Sequence, residues 1–134
     1  MKYLLDTHML LWSLEDSEKL PEKVRKIIDE SKDEIYYSSV SIWETEIKHL
    51  KRPDDMRSSS EGLASFCDES GFRELTLKSK HVHMLKTLSL SEDSKRHNDP
   101  FDRILISQAK SEDMIFITHD DLLPYYNENC ILYV

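Results

Sequence analysis

Lys2-Tyr3-Leu4-Leu5-Asp6 decides how this chain is read: an apolar run of strand length that stops on a carboxylate. A run with no polar alternation is buried on both faces, the habit of a strand inside a parallel sheet. Ile115-Phe116-Ile117-Thr118-His119-Asp120 repeats the design near the other end, with a hydroxyl and an acid behind the apolar residues. That second strand spans Met114 to Thr118. Ile35 to Ser38 and Arg73 to Leu77 carry the β-branched and aromatic residues of two more, and Ile131 to Val134 is a candidate fifth.

Helical periods lie between the strands. Leu20, Val24, Ile27 and Ile28 share a face behind Pro21, which suits a first helical turn. Trp43, Ile47 and Leu50 form the apolar stripe of the next helix, with Ser41 and Glu44 at capping-box spacing. Leu63, Phe66 and Cys67 mark a third, closed by Gly71, and a fourth is expected from Ser79 to Leu88. Ile104, Leu105, Gln108 and Ala109 follow Asp99-Pro100 as a fifth, while Lys51 to Ser60 and Ser89 to Asn98 read as polar loops. Strands alternating with helices imply right-handed crossovers and an α/β fold, with a four- to five-stranded, mostly parallel sheet covered on both faces. Ligands of such sheets bind at the carboxyl ends of the strands.

The 134 residues suffice for one domain, 1–134, with a core of its own. Cys67 and Cys130 have neither paired nor metal-ligand spacing, and no apolar run follows a basic start, so a reduced, cytoplasmic setting is expected. No segment approaches the roughly 20 apolar residues of a membrane helix, which sets the membrane aside. With only two glycines there is no Gly-rich loop to cradle phosphates, and this excludes P-loop and dinucleotide-binding readings. The formal net charge of −8 runs against a nucleic-acid partner, which normally meets a basic surface. The conflict is local, because five acids belong to one proposed site where two divalent ions would offset about half of that charge. Lys48, Lys51 and Arg52 follow Glu44, and Arg96 and Arg103 flank the Asp99/Asp102 pair, enough for a small basic rim.

The five acids are Asp6, Glu44, Asp99, Asp102 and Asp120, each at the end of an expected strand or the start of a helix. Crowded carboxylates repel one another and stay ionised only with hard cations such as Mg²⁺ or Mn²⁺ among them. Each acid also has a structural reading. Asp6 and Asp99 suit N-caps, Glu44 a capping box, and Asp102 a first turn favoured by the helix dipole. All of these would have to hold together for the site to be illusory. Asp102, inside its helix on the side of the inward residues, is the stronger ligand of its pair and Asp99 the second choice. Thr7 is expected to support Asp6, and Asp121 to face solvent. His8, His97 and His119 lie near the acids but show no paired-ligand spacing on one helix. No Ser/His/Asp or Cys/His arrangement offers a covalent nucleophile.

Four ordered motifs carry a resemblance: Leu4-Leu5-Asp6-Thr7-His8 with Leu10-Leu11-Trp12; Ser41-Ile42-Trp43-Glu44 with Ile47-Lys48; His97-Asn98-Asp99-Pro100-Phe101-Asp102-Arg103; and Ile117-Thr118-His119-Asp120. Over nearly its whole length the chain resembles PIN-domain ribonucleases, the VapC-like toxins of type II toxin-antitoxin systems. The resemblance implies a flavodoxin-like three-layer α/β/α sandwich. It also implies homodimers, RNA cleavage with Mg²⁺ or Mn²⁺, and a small cognate antitoxin whose tail enters the active-site groove. It gives roles to Asp6, Glu44, Asp102 and Asp120, with Asp99 as an additional acid. One departure is His49-Leu50-Lys51-Arg52-Pro53, where relatives often carry a Gly-Lys-Leu turn.

The expected function is therefore a metal-dependent endoribonuclease that leaves 5′-phosphate and 3′-hydroxyl ends. Asp6, Asp102 and Asp120 are expected to hold metal and Glu44 to orient the attacking water, with Lys48, Arg103 and Thr118 meeting the substrate. Three rivals stand beside it, one of them a receiver-like phosphoacceptor domain, in which Glu44 and the Asp99/Asp102 pair have no place. A phosphatase with an aspartate nucleophile would use Asp-x-Asp after the first strand, where this chain has His8 as the second member. A catalytically silent module would bind RNA or protein and use its acids only as caps.

Overall fold

The computed structural model describes residues 1–90 and 99–134. Arg96 and His97, and most of the loop expected from Ser89 to Asn98, lie outside the described residues. Five strands are described: β1 (Tyr3–Leu5), β2 (Ile35–Ser38), β3 (Arg73–Leu75), β4 (Ile115–Thr118) and β5 (Ile131–Tyr133). They form one sheet in the order β3-β2-β1-β4-β5, and every neighbouring pair is parallel. The expected fifth strand is present.

The apolar runs work as strands because successive side chains enter opposite cores. Leu5, Tyr37 and Ile117 point into one core, shared with α1 (Thr7–Leu14), α2 (Glu22–Glu30) and α4 (Ser60–Glu69) through Met9, Leu10, Val24, Leu63 and Cys67. Leu4 and Phe116 point into the other, against Leu105, Ile106 and Ala109 of α6 (Pro100–Glu112). With helices on both faces the molecule is a three-layer α/β/α sandwich. Each fully buried Leu, Ile or Phe in these cores contributes about 1.5–3 kcal/mol. Gly71 closes α4 at φ 84°, where its missing Cβ avoids the strain of left-handed backbone.

Three elements differ from the sequence expectation. Helix α1 begins directly behind Asp6 and was not anticipated, because consecutive buried residues Met9, Leu10 and Leu11 hide a helical period. Helix α3 (Ser39–Lys51) starts before the expected capping box, and its cap is Ser38, whose Oγ accepts from the Val40 amide at 3.0 Å. Its buried face is Val40, Ser41, Glu44 and Thr45, while Trp43 and Leu50 of the expected inward stripe are 57% and 72% exposed. The inward side of α3 carries Ser41, Glu44 and Thr45 beside Val40, which joins an apolar core, and the stripe is left outside. The helix expected from Ser79 to Leu88 is split into α5 (Ser79–His83) and a single 3₁₀ turn, Met84–Thr87. Only His81 of α5 is buried, so no apolar stripe holds a longer helix.

Candidate active site

Strand order reverses at β1, with β2 and β3 to one side and β4 and β5 to the other. The carboxyl ends of β1 and β4 are therefore neighbours at the switch point, where open parallel sheets form their ligand crevice. Asp6 follows β1 and Thr118 ends β4, and the two meet: the Thr118 hydroxyl donates to Asp6 Oδ2 at 2.7 Å. The same Oγ1 accepts from the Asp120 amide at 3.1 Å. Thr118 thus ties two acids together. It was expected to meet substrate, but its side chain is wholly buried behind Asp6, so its role is to position.

Asp6 occupies the N-cap position of α1, yet its side chain makes no capping bond. The structural reading of this residue as a cap therefore fails. Glu44 is also buried and takes no part in a capping box. Its Oε1 lies 2.8 Å from Thr7 Oγ1 and its Oε2 2.7 Å from Lys48 Nζ. Thr7 Oγ1 also lies 2.8 Å from Ser41 Oγ. Since a hydroxyl has one proton, Thr7 donates to Glu44 and Ser41 donates to Thr7. Thr7 supports Asp6, as expected, through its backbone amide, and its side chain supports Glu44. Lys48 is engaged with Glu44 as an ion pair, and Arg103 donates to the Tyr126 hydroxyl at 3.1 Å.

The Asp99/Asp102 pair divides its work. Asp99 is exposed and caps α6, its Oδ1 accepting from the amides of Phe101 at 2.9 Å and Asp102 at 3.3 Å. Asp102 is buried one turn on. Asp120 is partly buried, and its Oδ1 accepts from the Leu122 amide at 2.9 Å. Asp121 is exposed, as expected, and accepts from Tyr133.

Electrostatics show the convergence. The Asp102 carboxyl is pushed up to about 8, first by burial and then by the negative charges of Asp6, Asp99, Asp120 and Glu44. All four other acids act on this one group across the fold. Asp6 is also raised, chiefly by burial; the Thr118 hydrogen bond, the charge of His8 and the Thr7 amide pull the other way, and Glu44 adds to the rise. A pocket that penalises its own carboxylates in this way is complementary to positive charge.

The donors are carboxylate oxygens, the set that hard cations prefer. Among the described residues no three His, Cys, Asp or Glu side chains already close around one point.

Beside Asp6 and Asp120 a cavity of about 630 Å³ opens, lined also by His8, Trp12, His119 and Tyr125. In the sequence His8 and His119 read as structural or surface histidines rather than paired metal ligands, and Trp12 and Tyr125 carry no assigned role. The available signal was His8 and Trp12 standing four residues apart, which puts them on one face of α1.

A family profile described as PIN domain matches residues 3–128. The chain belongs to the PIN domain family. No curated protein sequence matches it. Among solved structures, this PIN domain is similar to VapBC2 from Rickettsia felis bound to a DNA fragment from its promoter. The TM-score is 0.72 and the identity 14%, with 100% of this chain and 99% of the other covered. A toxin-antitoxin complex from Klebsiella pneumoniae gives 0.62 at 12% identity, covering 98% and 96%. FitAcB from Neisseria gonorrhoeae gives 0.57 at 18%, covering 90% and 88%. At these identities the likeness is one of fold.

Proposed function

We propose that this PIN domain is a divalent-metal-dependent endoribonuclease, the toxin of a toxin-antitoxin pair working in the cytoplasm. The observation that carries the reading is the action of Asp6, Glu44, Asp99 and Asp120 on the buried Asp102 carboxyl. Acids acting only as caps would have no reason to bear on a fifth.

Asp6, Asp102 and Asp120 would hold Mg²⁺, or Mn²⁺ in its place, with Asp99 as an additional acid. Such ions neutralise the charge of a phosphate under attack and lower the pKa of bound water. Thr118 keeps Asp6 aimed into the crevice. Glu44 has lone pairs beyond those used by Thr7 and Lys48, and these orient the attacking water. Lys48 and Arg103 stand at the rim to steady phosphate. Water oxygen bonds to phosphorus, the bond from phosphorus to the 3′ oxygen breaks, and that oxygen takes a proton. Products carry 5′-phosphate and 3′-hydroxyl ends.

Single-stranded RNA incubated with the purified protein should be cut in Mg²⁺ or Mn²⁺, spared in EDTA, and yield ends that ligate without prior phosphorylation. Cleavage undiminished by EDTA would refute the metal-dependent mechanism. The absence of a preformed three-donor cluster favours a second reading, a silent binding module. Melting curves separate the two, since Mn²⁺ should raise the melting temperature of a metal enzyme and leave a silent module unchanged.

The partners we infer are RNA, a cognate antitoxin and a second copy of the chain. The structural relatives include VapBC and toxin-antitoxin complexes, which supports the antitoxin. Trp43 and Leu50, the exposed apolar stripe of α3, suit a homodimer face, with Trp43 edge-on to Phe101 at 5.0 Å. Light scattering should give a dimer mass for the parent and a monomer mass for Trp43→Glu; a monomeric parent would count against it. No helix among the described residues is long and apolar enough to cross a membrane.

A further inference from the structure

The cavity beside Asp6 and Asp120 has an aromatic wall, anchored where Trp12 packs against a hydrophobic core. His8 and Trp12 stack with centroids 5.8 Å apart and planes 14° from parallel. Trp12 meets the edge of His119 at 5.9 Å, and His119 in turn stacks on Tyr133 at 5.6 Å and 5°. The His119 ring is fixed from a second side, because its Nδ1–H donates to the Val134 carbonyl. Tyr133 is held by its hydroxyl, which donates to Asp121 at 2.5 Å. Tyr125, 45% exposed, lines the cavity from the turn Leu123–Tyr125. These rings are held in place yet remain open to solvent, and their neighbours are the carboxylates of the candidate catalytic centre.

We propose that this cavity is a nucleobase pocket: a base of single-stranded RNA stacks on the surface formed by Trp12 and Tyr125 while its phosphate lies at Asp6 and Asp120. The proposal deepens the nuclease reading and rests on it for the position of the phosphate. A base fits better than an apolar side chain because the lining combines aromatic rings with carboxylates, suited to a flat ring with polar edges. Every base has a π-face, so stacking alone tolerates any sequence. Asp121 at the rim adds selectivity. A carboxylate accepts from the amino groups of guanine, adenine or cytosine, but meets two carbonyl oxygens flanking the single N–H of uracil. Bases carrying an amino group should therefore be preferred to uracil.

The chain has two tryptophans, so Trp43→Phe leaves Trp12 as the only one. A short single-stranded oligoribonucleotide, mixed in by stopped flow and read before it is cut, should quench its emission. Binding should weaken about 10-fold when the critical nucleotide is abasic, within the range set by loss of one stacked base. On cleavable RNA, Tyr125→Ala should raise KM about 10-fold with little change in kcat. Trp12→Phe should keep parental KM and Trp12→Leu should not, each with its melting curve taken because Trp12 also packs on a core. Quenching that is indifferent to the missing base, or parental KM in both Tyr125→Ala and Trp12→Leu, overturns the pocket. So does quenching by a basic peptide where RNA gives none, which would assign the cavity to a protein partner. If the parent cuts no RNA in Mg²⁺ while base-dependent quenching persists, the nuclease reading falls and the pocket stands.

Discussion

Replacing Asp6 by asparagine is expected to slow RNA cleavage in Mg²⁺ by more than about 100-fold, beyond the usual effect of losing a group that only supports a metal ligand. The fold should survive. An asparagine oxygen can still accept the 2.7 Å hydrogen bond from Thr118, so what disappears is the negative charge and not the local packing. Thr118→Val makes the complementary test, because the charge stays while its orienting bond is lost. Its loss of rate should fall in the range of about 10- to 100-fold for a supporting group. Asp99→Ser separates two roles in the same way. Serine is a good N-cap, so α6 should remain capped and stable, and any loss of rate reports a carboxylate acting at the site. Single-turnover cleavage, with melting curves for each variant, decides these outcomes. Parental rates in Asp6→Asn would end the assignment of this crevice as a nuclease centre.

The protein without divalent ions should become less stable as pH rises from about 5 to about 8. Asp102 is the reason, with its carboxyl pushed from an ordinary 3.8 up to about 8 by burial and by four neighbouring acids. Between those values the folded chain keeps a proton that the unfolded chain has released. Stability is then fully present below the unfolded value and drains away as pH climbs through the folded one. The slope approaches that of one proton, on the order of 1 kcal/mol per pH unit, and levels off above about 8. Asp6, raised in the same direction, adds to the loss. Asp102→Asn should remove most of the slope and leave the variant more stable than its parent at pH 8 in EDTA. Saturating Mn²⁺ should oppose the slope, since a cation favours the ionised form and binds better as protons leave. Urea unfolding across this pH range in EDTA is the measurement, and a flat or rising profile would contradict it.

Much of the fold was legible because a doubly covered parallel strand leaves a distinctive trace. Leu4 and Leu5 must both be apolar when they enter different cores, and so must Phe116 and Ile117. Asp6 and Asp120 were legible for a related reason: an acid directly behind such a run has nowhere to go but the end of the sheet. The helices were harder. Where apolar residues crowd together, as at Met9 to Leu11, the period disappears into the run. Where an apolar stripe is clear, as at Trp43, Ile47 and Leu50, it says that one face is apolar but not that this face is inward.

The amino-acid sequence by itself determined an α/β alternation, a parallel sheet and a set of acids at its carboxyl edge, because each of these follows from the order of apolar and polar residues along short stretches. Only the tertiary structure decided that Glu44 turns inward and Trp43 outward, that Thr118 orients rather than binds, and that four aromatic rings gather beside the acids. The physical reason is distance along the chain. Glu44 tolerates burial because Thr7, 37 positions away, donates to it, and Asp6 is oriented by Thr118 from 112 positions away. A hydrogen bond or a repulsion between such partners exists only once the backbone has brought them together.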